Sequence, residues 1–413
     1  MAEKRRLVVF DVEGVLIPKN RFIFEVGKTQ GFFKLIKLLL FGFLYEAGII
    51  NLERALRHVF WNLKGVELET LHCIFDSIPA TPTLQGIFSQ LKAKGCKIAL
   101  ISSGLPTVTV QKMADCLGAQ YAYGIELETK NSKLTGNISG DAIQPSGKLK
   151  ILNDILAAEN LTLKDCAVVA DDRNNRCIFV PECLKIGFNP DFVLRVIADR
   201  VVNGKLTKIL PIIDGQTQKR SFPSTNDFIR EDIHASGFFM PVIAGFIGIP
   251  IVASIIIGIA LVYSASELLR LEGKNMPVIS AVTRHAASQS EIYGFAAAPL
   301  YFAFGIVTTM LLFPTIAGAA AIAMFCFGDS AASLFGGLIT TSLPFNKGKT
   351  IEGSFAGFIF AFLAGLVFVS PLLALVGAVV AMTVEVLPLP INDNILIPVV
   401  TGAALTALTV FLS

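Results

Sequence analysis

Three short apolar runs in the first half of the chain each end in polar side chains that suit the transfer of a phosphoryl group. "RLVVF" precedes Asp11 and Glu13, "KIALI" precedes Ser102, and "CAVVA" precedes Asp171 and Asp172. A carboxylate can attack phosphorus and form an aspartyl-phosphate, a hydroxyl can bind phosphoryl oxygens, and further carboxylates can hold Mg²⁺. The spacing therefore predicts phosphoryl chemistry that uses a metal ion.

Their length and their β-branched residues predict that the three runs are strands. Helical stretches lie between them, including residues 147–160 with Lys148 at the start. Strands that alternate with helices predict a parallel sheet. Ligands bind at the carboxyl ends of such strands, so the polar residues and Lys148 should meet at one edge of the sheet.

Taken in order, Asp11, Ser102, Lys148 and Asp171 resemble the motifs of the HAD superfamily, specifically its phosphoserine-phosphatase-like branch, over about residues 6–190. The resemblance implies an α/β Rossmann-like HAD domain with a helical cap at about residues 20–85. It implies that Asp11 is the nucleophile and that Asp171 is a Mg²⁺ ligand. Ser102 and Lys148 would bind the phosphoryl group.

Three positions depart from the usual pattern of that branch. Glu13 stands where the general acid is normally an aspartate, and Asp172 and Asn175 stand where a glycine and an aspartate are usual. We interpret Glu13 as the general acid, and Asp11, Asp171, Asp172 and Asn175 as the metal site. An active phosphatase or phosphotransferase and a degenerate binding or regulatory domain both stay open.

The cap contains "GFFKLIKLLLFGFLYEAGII", which has the look of a membrane span but holds Lys34 and Lys37. Charged side chains are costly in hydrocarbon. One interpretation is a buried pair of cap helices. The other is an apolar cap that faces the bilayer and admits a lipid phosphate.

Composition divides the chain of 413 residues, 53% of them hydrophobic, into two parts. Residues 237–413 carry only five Lys or Arg and seven Asp or Glu, out of 35 and 32 in the whole chain. We therefore predict a soluble domain over 1–200, a linker over 201–236 and an all-α polytopic transmembrane domain over 237–413. The net charge of +3 is unclustered, which argues against nucleic acid as a partner.

The twelve charges of residues 237–413 fall in three groups separated by pairs of apolar segments, so the groups can meet on one face of the membrane. No secretory signal opens the chain, and we expect both parts to face the cytoplasm. For 237–264 we expect a re-entrant hairpin, or two short tilted helices, with a break near Pro250. Homo-oligomerisation stays open.

Two motifs in the membrane part combine small residues with charges. "GDSAASLFGG" contains Asp329, and "NKGKTIEGSFAG" contains Lys347, Lys349 and Glu352. Small residues allow close approach of a nucleotide or of a neighbouring helix. Carboxylates can bind a metal ion, and lysines can meet phosphates.

These motifs, with a later "EVLPLPINDNILIP" and an earlier "SELLRL", resemble the dolichol/polyprenol kinase and phytol kinase family over about residues 230–413. The resemblance implies transfer of the γ-phosphoryl group of CTP to a long-chain isoprenoid alcohol in the bilayer, with Mg²⁺. The implied site comprises Asp329 and Glu352 as catalytic residues, Arg284, Lys347, Lys349, Gly353 and Asn394 for nucleotide or phosphate, and Asp329, Glu385 and Asp393 for metal.

Two alternatives to this kinase remain. The membrane part could be a CTP-dependent diacylglycerol kinase or a cytidylyltransferase that makes a CDP-lipid. It could also be a catalytically silent anchor for the phosphatase. Arg230 and His234, four residues apart, could contribute to the site or simply anchor a helix at the interface.

Overall fold

The computed structural model divides into two compact units, Met1–Gln218 (unit 1) and Lys219–Ser413 (unit 2). The described residues are 5–19, 21–31, 37–38, 41, 45, 50–76, 78, 83–216, 222–274, 276–277, 279, 283, 295–337 and 341–412.

The described part of unit 1 contains a seven-stranded sheet of order β4-β3-β2-β1-β5-β6-β7. The pairing of β3 with β4 is antiparallel, and the other pairings are parallel. The predicted parallel sheet is confirmed, with β1 at its centre. The strands are β1 Leu7–Asp11, β2 Lys97–Pro106, β3 Tyr121–Lys130, β4 Lys133–Ser139, β5 Cys166–Ala170, β6 Leu184–Phe188 and β7 Arg200–Val202.

Both faces of this sheet are buried, because successive side chains of a strand point to opposite faces. In β1, Val8 and Phe10 belong to one apolar core, whereas Leu7 and Val9 belong to another. A strand buried on both faces reads as a continuous apolar run, which explains "LVVF". The helices of unit 1 are α1 Arg21–Gln30, α2 Leu52–Asn62, α3 Leu68–Asp76, α4 Leu84–Ala93, α5 Thr107–Leu117, α6 Gly147–Ala158, α7 Phe192–Ile197 and α8 Ile209–Ile213.

The predicted helical cap corresponds to α1, α2 and α3, which lie in the chain between β1 and α4. Phe22 of α1, Phe60 of α2 and Leu71 of α3 are all buried in the apolar core shared with β1. Most of the span-like segment 31–50, including Lys34, lies outside the described residues.

The predicted linker over 201–236 is wrong in extent. Its first residues complete β7 and then form α8, whose Ile209 and Ile212 are buried in the core of unit 1. Its last residues form a helix of unit 2, Thr225–Ala235, where Glu231 is buried. Short strands and helices of this kind lack the long periodicity that makes an element visible in sequence.

Unit 2 is all-helical over its described residues, as predicted. Its helices are α9 Thr225–Ala235, α10 Phe239–Ile247, α11 Ile249–Leu271, α12 Ala298–Leu312, α13 Thr315–Gly336, α14 Ile351–Gly365, α15 Pro371–Val386 and α16 Asp393–Leu412.

The helix break predicted near Pro250 occurs at Gly248, where φ is +95°. The two helices on either side of it are unequal, with 9 residues in α10 and 23 in α11. At 1.5 Å per residue α11 is about 35 Å long, enough to cross about 30 Å of hydrocarbon. The expectation of two short helices is therefore wrong for the second.

Helix α13 is the most buried helix of unit 2, and small residues let its neighbours approach closely. A Cβ atom at Gly328 would lie 3.1 Å from the Cβ of Ala361, and one at Gly353 would lie 2.9 Å from the Cα of Gly336. Such small-residue contacts are typical of helix packing in membranes.

Three described stretches are long and apolar enough to cross a membrane: α11, α13 and Asp393–Phe411 of α16. Only 17% of the apolar window of α11 is buried, and its exposed side chains include Ile255, Ile259 and Leu261. Large exposed apolar surfaces of this kind mark contact with lipid or protein. Unit 2 thus associates the chain with a membrane.

Candidate active site

The centre of the site is Asp11, the last residue of β1, which is 6% exposed. Its Oδ1 atom accepts a hydrogen bond from Lys148 Nζ at 2.9 Å, and its Oδ2 accepts one from Asn175 Nδ2 at 2.7 Å. Lys148 is the second residue of α6 and is buried. Although burial opposes it, Asp11 raises the pKa of Lys148, so this ammonium stays charged beside the carboxylate.

Glu13 lies in the loop after β1 and lines the same cavity as Asp11. Its Oε2 accepts a hydrogen bond from the hydroxyl of Ser102 at 3.3 Å. Burial, followed by the nearby charge of Asp11, raises the pKa of Glu13 to about 7. A carboxyl group with this pKa can both donate and accept a proton near neutral pH.

Two glycines leave room for these carboxylates. Gly14 has a φ of +82°, and a Cβ atom there would overlap the carboxylate of Asp171. A Cβ atom at Gly104 would overlap the carboxyl group of Glu13. The loop after β1 and the end of β2 therefore need glycine where their backbones approach the acids.

The predicted phosphate-binding hydroxyl, Ser102, is fully buried in β2, directly after the residues of β2 that pair with β1. Its Oγ atom accepts hydrogen bonds from the backbone N–H groups of Gly104 and Leu105, at 3.2 and 2.9 Å. The neighbouring Ser103 and Gly104 line the cavity. Ser102 thus orders the part of β2 that carries Ser103 and Gly104, and it contacts Glu13.

Three carboxylates form a cluster that fits a divalent cation. Asp11, Asp171 and Asp172 each offer an oxygen, and these atoms lie within 4.8 Å of one another. Asp171 Oδ1 is buried without a hydrogen-bond partner among the described residues. An unsatisfied buried acceptor among carboxylates suits Mg²⁺, which takes oxygen ligands. This cluster therefore suits the Mg²⁺ that the resemblance implies.

The predicted role of Asn175 as a metal ligand is not supported by its contacts. Lysine can only donate, so the atom that faces Lys148 Nζ at 2.7 Å is the amide oxygen, Oδ1. The amide nitrogen donates to Asp11 and, at 3.2 Å, to Asp172 Oδ1. Asn175 therefore links the lysine to the carboxylates, and its oxygen is already engaged.

Sequence reasoning missed Lys19 and Tyr45. The ammonium of Lys19 lies 3.4 Å from Asp171 Oδ2 and 3.1 Å from Asp172 Oδ2. The hydroxyl of Tyr45 donates to Asp172 Oδ2 at 2.9 Å. Burial opposes a low pKa for Asp172, but Lys19 and Lys148 outweigh it and lower that pKa. Neither Lys19 nor Tyr45 stands at a strand end, so no local pattern singled them out.

In unit 2, the predicted residue Asp329 lies next to His234, whose role the sequence left open. Its Oδ2 atom lies 3.6 Å from Nε2 of His234, which is itself 3.4 Å from Oδ1 of Asn394. Ser330 donates to the backbone oxygen of Glu231. Helices α9, α13 and α16 thus bring polar groups together at one place, which we call the Asp329 cluster: Glu231, His234, Asp329, Ser330 and Asn394.

A second group surrounds Lys349, just before α14. Its ammonium pairs with the buried carboxylate of Glu385 and lies 3.5 Å from Oδ2 of Asp393. The charge of Asp329 also acts on Lys349 and on Glu385, so these predicted residues lie in one neighbourhood. A metal site of Asp329, Glu385 and Asp393 stays a prediction. Within the described residues, Asp11, Asp171 and Asp172 alone form a carboxylate cluster of metal-binding geometry.

The other predicted residues of unit 2 have separate surroundings. Glu352, in the first turn of α14, has a buried Oε2 atom with no hydrogen-bond partner among the described residues. Gly353 lies in the contact between α13 and α14, so helix packing accounts for its small size. Lys347 is half-buried in the loop before α14. Arg284 lies outside the described residues.

Comparison with known proteins places the similarity in the first half of the chain. A family model described as haloacid dehalogenase-like hydrolase matches residues 8–174. A protein named phosphoserine phosphatase from Methanocaldococcus jannaschii is 30% identical over 216 residues, 52% of this chain and 100% of that protein. Another of that name, from Archaeoglobus fulgidus, is 32% identical over 196 residues, 48% of this chain and 56% of that protein.

Two solved structures are also similar to part of this chain. One described as a phospho-aspartyl intermediate analogue of phosphoserine phosphatase is 27% identical and covers 51% of this chain and 99% of that chain, with a TM-score of 0.47. A substrate-bound phosphoserine phosphatase complex is 26% identical and covers 51% and 98%, also with a TM-score of 0.47.

The fold of unit 1 and its acidic site define a hydrolase of phosphate esters. The chain belongs to the haloacid dehalogenase-like (HAD) hydrolase family. The predicted likeness of its N-terminal domain to phosphoserine phosphatases is confirmed, and unit 1 is a HAD phosphatase. The likeness of unit 2 to polyprenol kinases stays a prediction.

Proposed function

We propose that unit 1 hydrolyses a phosphomonoester through a covalent intermediate on Asp11. The observation that carries the proposal is the arrangement around this residue. Its carboxylate lies at the carboxyl end of the central strand, is held on both oxygens by Lys148 and Asn175, and shares a cavity with Glu13. A fixed nucleophile next to a carboxyl group of raised pKa suits a two-step displacement.

In the first step an oxygen of Asp11 attacks phosphorus, and the bond from phosphorus to the alcohol oxygen breaks. Glu13 donates its proton to that leaving oxygen. In the second step water attacks the phosphorus of the aspartyl-phosphate, while Glu13 takes a proton from the water. The bond to Asp11 breaks, and inorganic phosphate leaves. Lys148 offsets negative charge beside Asp11 during both steps.

Mg²⁺ would be held by Asp11, Asp171 and Asp172, and it would supply positive charge to the phosphoryl oxygens. Lys19 contacts two of these carboxylates and lies at the cavity wall. We expect its ammonium to shift toward the phosphoryl group when the ion takes up the charge of the acids.

Phosphate release from p-nitrophenyl phosphate by the purified full chain tests this proposal. Wild type should release phosphate only with Mg²⁺, and Asp11→Asn should be inactive. Asp141→Asn, which changes an exposed carboxylate, should match wild type. Activity that survives Asp11→Asn would refute the covalent route.

For unit 2 we propose, as a second function, transfer of the γ-phosphoryl group of CTP to an isoprenoid alcohol in the bilayer. It is supported by the Asp329 cluster and by the pairing of Lys349 with Glu385. Ionisable groups within apolar helices are costly and are usually kept for function. In this proposal Lys349 meets phosphate charge, and Asp329 accepts the proton of the alcohol with His234 beside it.

We further propose that the chain is a multi-pass membrane protein whose two sites both open to the cytoplasm, where CTP is available. Labelled CTP distinguishes the alternatives for unit 2. The γ label should reach an added polyprenol or dolichol and be lost in Asp329→Asn, whereas Asp232→Asn, on the exposed face of α9, should keep the activity.

Three other outcomes would overturn the proposal that unit 2 is a polyprenol kinase. Transfer of the α label would indicate a cytidylyltransferase. Transfer of the γ label to diacylglycerol alone would indicate a diacylglycerol kinase. Transfer of neither label to any lipid would leave unit 2 as the anchor of a phosphatase.

A further inference from the structure

The cavity of unit 1 has two chemically different walls. It measures about 70 Å³. Its polar wall contains the catalytic groups, Asp11, Glu13, Ser103, Gly104, Lys148 and Asp172, with Lys19, Tyr45 and Asn174. Its other wall, which we call the cap wall, comes from α1 and α2 and consists of Phe22, Leu52, Ala55, Leu56 and Val59.

The cap wall is apolar because of how α2 is oriented. Leu52, Ala55, Leu56 and Val59 recur at the spacing that places side chains on one face of a helix. The charged residues of α2 lie elsewhere. Arg57 pairs with Glu53 and donates to the backbone oxygen of Ile138 in β4, at 3.2 Å.

The two lysines that line the cavity form ion pairs with the acidic residues of the site. Lys148 contacts Asp11, and Lys19 contacts Asp171 and Asp172. Within the described residues, the cap wall therefore offers no charged partner to the part of a substrate that extends away from the phosphoryl group. A zwitterionic leaving group such as serine would bring an ammonium and a carboxylate against hydrocarbon, which is unfavourable without partners.

We propose that the phosphatase site of unit 1 takes phosphomonoesters of apolar alcohols, with the first carbons of the alcohol packed on the cap wall. This inference rests on the proposed hydrolysis at Asp11 and departs from the phosphoserine in the names of the relatives. Each methylene that leaves water for an apolar wall favours binding by about fourfold. The small volume limits this gain to the first few carbons, so a longer chain must extend out of the cavity.

The test compares methyl, ethyl, butyl and hexyl phosphate with phosphoserine, using the full chain in detergent with Mg²⁺. We expect kcat/KM to rise along the alkyl series by up to about fourfold per methylene. Butyl phosphate should exceed phosphoserine by at least about tenfold. Phosphoserine hydrolysed as well as butyl phosphate, or a flat alkyl series, would overturn the inference.

A variant of the cap wall makes the test specific. Leu56→Asn should remove most of the difference in kcat/KM between hexyl and methyl phosphate, because the polar side chain no longer favours the carbons of the longer alcohol. Arg54→Asn, on the exposed side of the same helix, should keep the full alkyl preference. An unchanged hexyl preference in Leu56→Asn would contradict a role for the cap wall.

Failure of this inference and failure of the phosphatase function give different results. If Leu56→Asn does not fold, the wild-type alkyl series still decides the question. If wild type hydrolyses methyl phosphate and phosphoserine but shows no alkyl preference, the inference alone fails. If wild type hydrolyses none of the esters, nor p-nitrophenyl phosphate, the proposed function fails and takes the inference with it.

Discussion

Replacing Glu13 with glutamine isolates proton donation from the rest of the phosphatase site. The glutamine side chain would keep the size of the group next to Gly104 and could still contact the hydroxyl of Ser102, but it cannot release a proton. An alkoxide is a poor leaving group and needs that proton, whereas p-nitrophenolate leaves without one. We therefore expect Glu13→Gln to lower kcat for butyl phosphate by about 10²–10⁴-fold, the usual contribution of a general acid.

Because Glu13 also takes a proton from water in the second step, the substrates are compared by the rate of the first step, the release of the alcohol in a single turnover. The same variant should slow this release from p-nitrophenyl phosphate by less than about tenfold, because general acid catalysis contributes little when the leaving group is already stable. Glu128→Gln, which changes an exposed carboxylate on β3, serves as the matched control and should leave both substrates unaffected. Equal losses in the first-step rate for the two substrates would show that Glu13 does not donate the proton. No loss for either substrate would show the same.

The pH dependence gives a second readout of the same residue. The pKa of Glu13 is raised to about 7, and the acid form is the one that donates. One pH unit above the pKa leaves about a tenth of the residue protonated. For wild type, hydrolysis of butyl phosphate should therefore fall as pH rises from 6 to 8, and Glu13→Gln should lack this decline. A decline that persists in the variant would assign it to another group.

Three further predictions concern the groups around the nucleophile. Lys148→Met should lower phosphatase activity at least about 100-fold, because Asp11 loses its buried cation. Lys150→Met, two residues later on the exposed side of α6, should stay active, and comparable losses for the two variants in a phosphate-release assay would contradict this. Asp171→Asn should raise the Mg²⁺ concentration that gives half-maximal activity by at least about tenfold, because even residues that only contact a metal ligand change metal affinity by about that much. An unchanged Mg²⁺ titration would show that Asp171 does not hold the ion. Gly14→Ala should lower the melting temperature more than Gly65→Ala. Both positions have positive φ, so alanine at either costs about 1–2 kcal/mol of strain, but only at Gly14 would the Cβ atom strike Asp171. Equal shifts would exclude the clash.

Much of unit 1 could be predicted from sequence because its central strands are continuous apolar runs that end in polar functional residues. Asp11, Lys148 and Asp171 stand at positions that a parallel sheet brings together, so their meeting follows from topology. Lys19 and Tyr45 reach the site through the loop after β1 and through the cap. Contacts of that kind depend on tertiary folding, and no short-range pattern reveals them.

The role of Asn175 shows a second limit. Its position was predicted, but whether its amide oxygen faces an ion or a lysine depends on the neighbours, and Lys148 takes that oxygen. In unit 2, the apolar segments and the residues Asp329, Glu385 and Asp393 were recognisable. The ion pairs of Lys349 with Glu385 and Asp393 were not, because they depend on tertiary folding.

The boundaries of each unit were harder to predict from the sequence than its fold class. Short elements such as β7, with three residues, and α8, with five, carry too few residues for periodicity to be read. They made the end of unit 1 resemble a linker, although Ile209 and Ile212 are buried in its core.

Peptide mass spectrometry after a rapid acid quench tests the central claim most directly. The full chain is mixed with p-nitrophenyl phosphate and Mg²⁺, quenched during turnover, and digested. We predict a phosphoryl group on the peptide that contains Asp11, and none on that peptide in Asp11→Asn. A phosphoryl group on another residue, or steady hydrolysis without any covalent intermediate, would contradict the account.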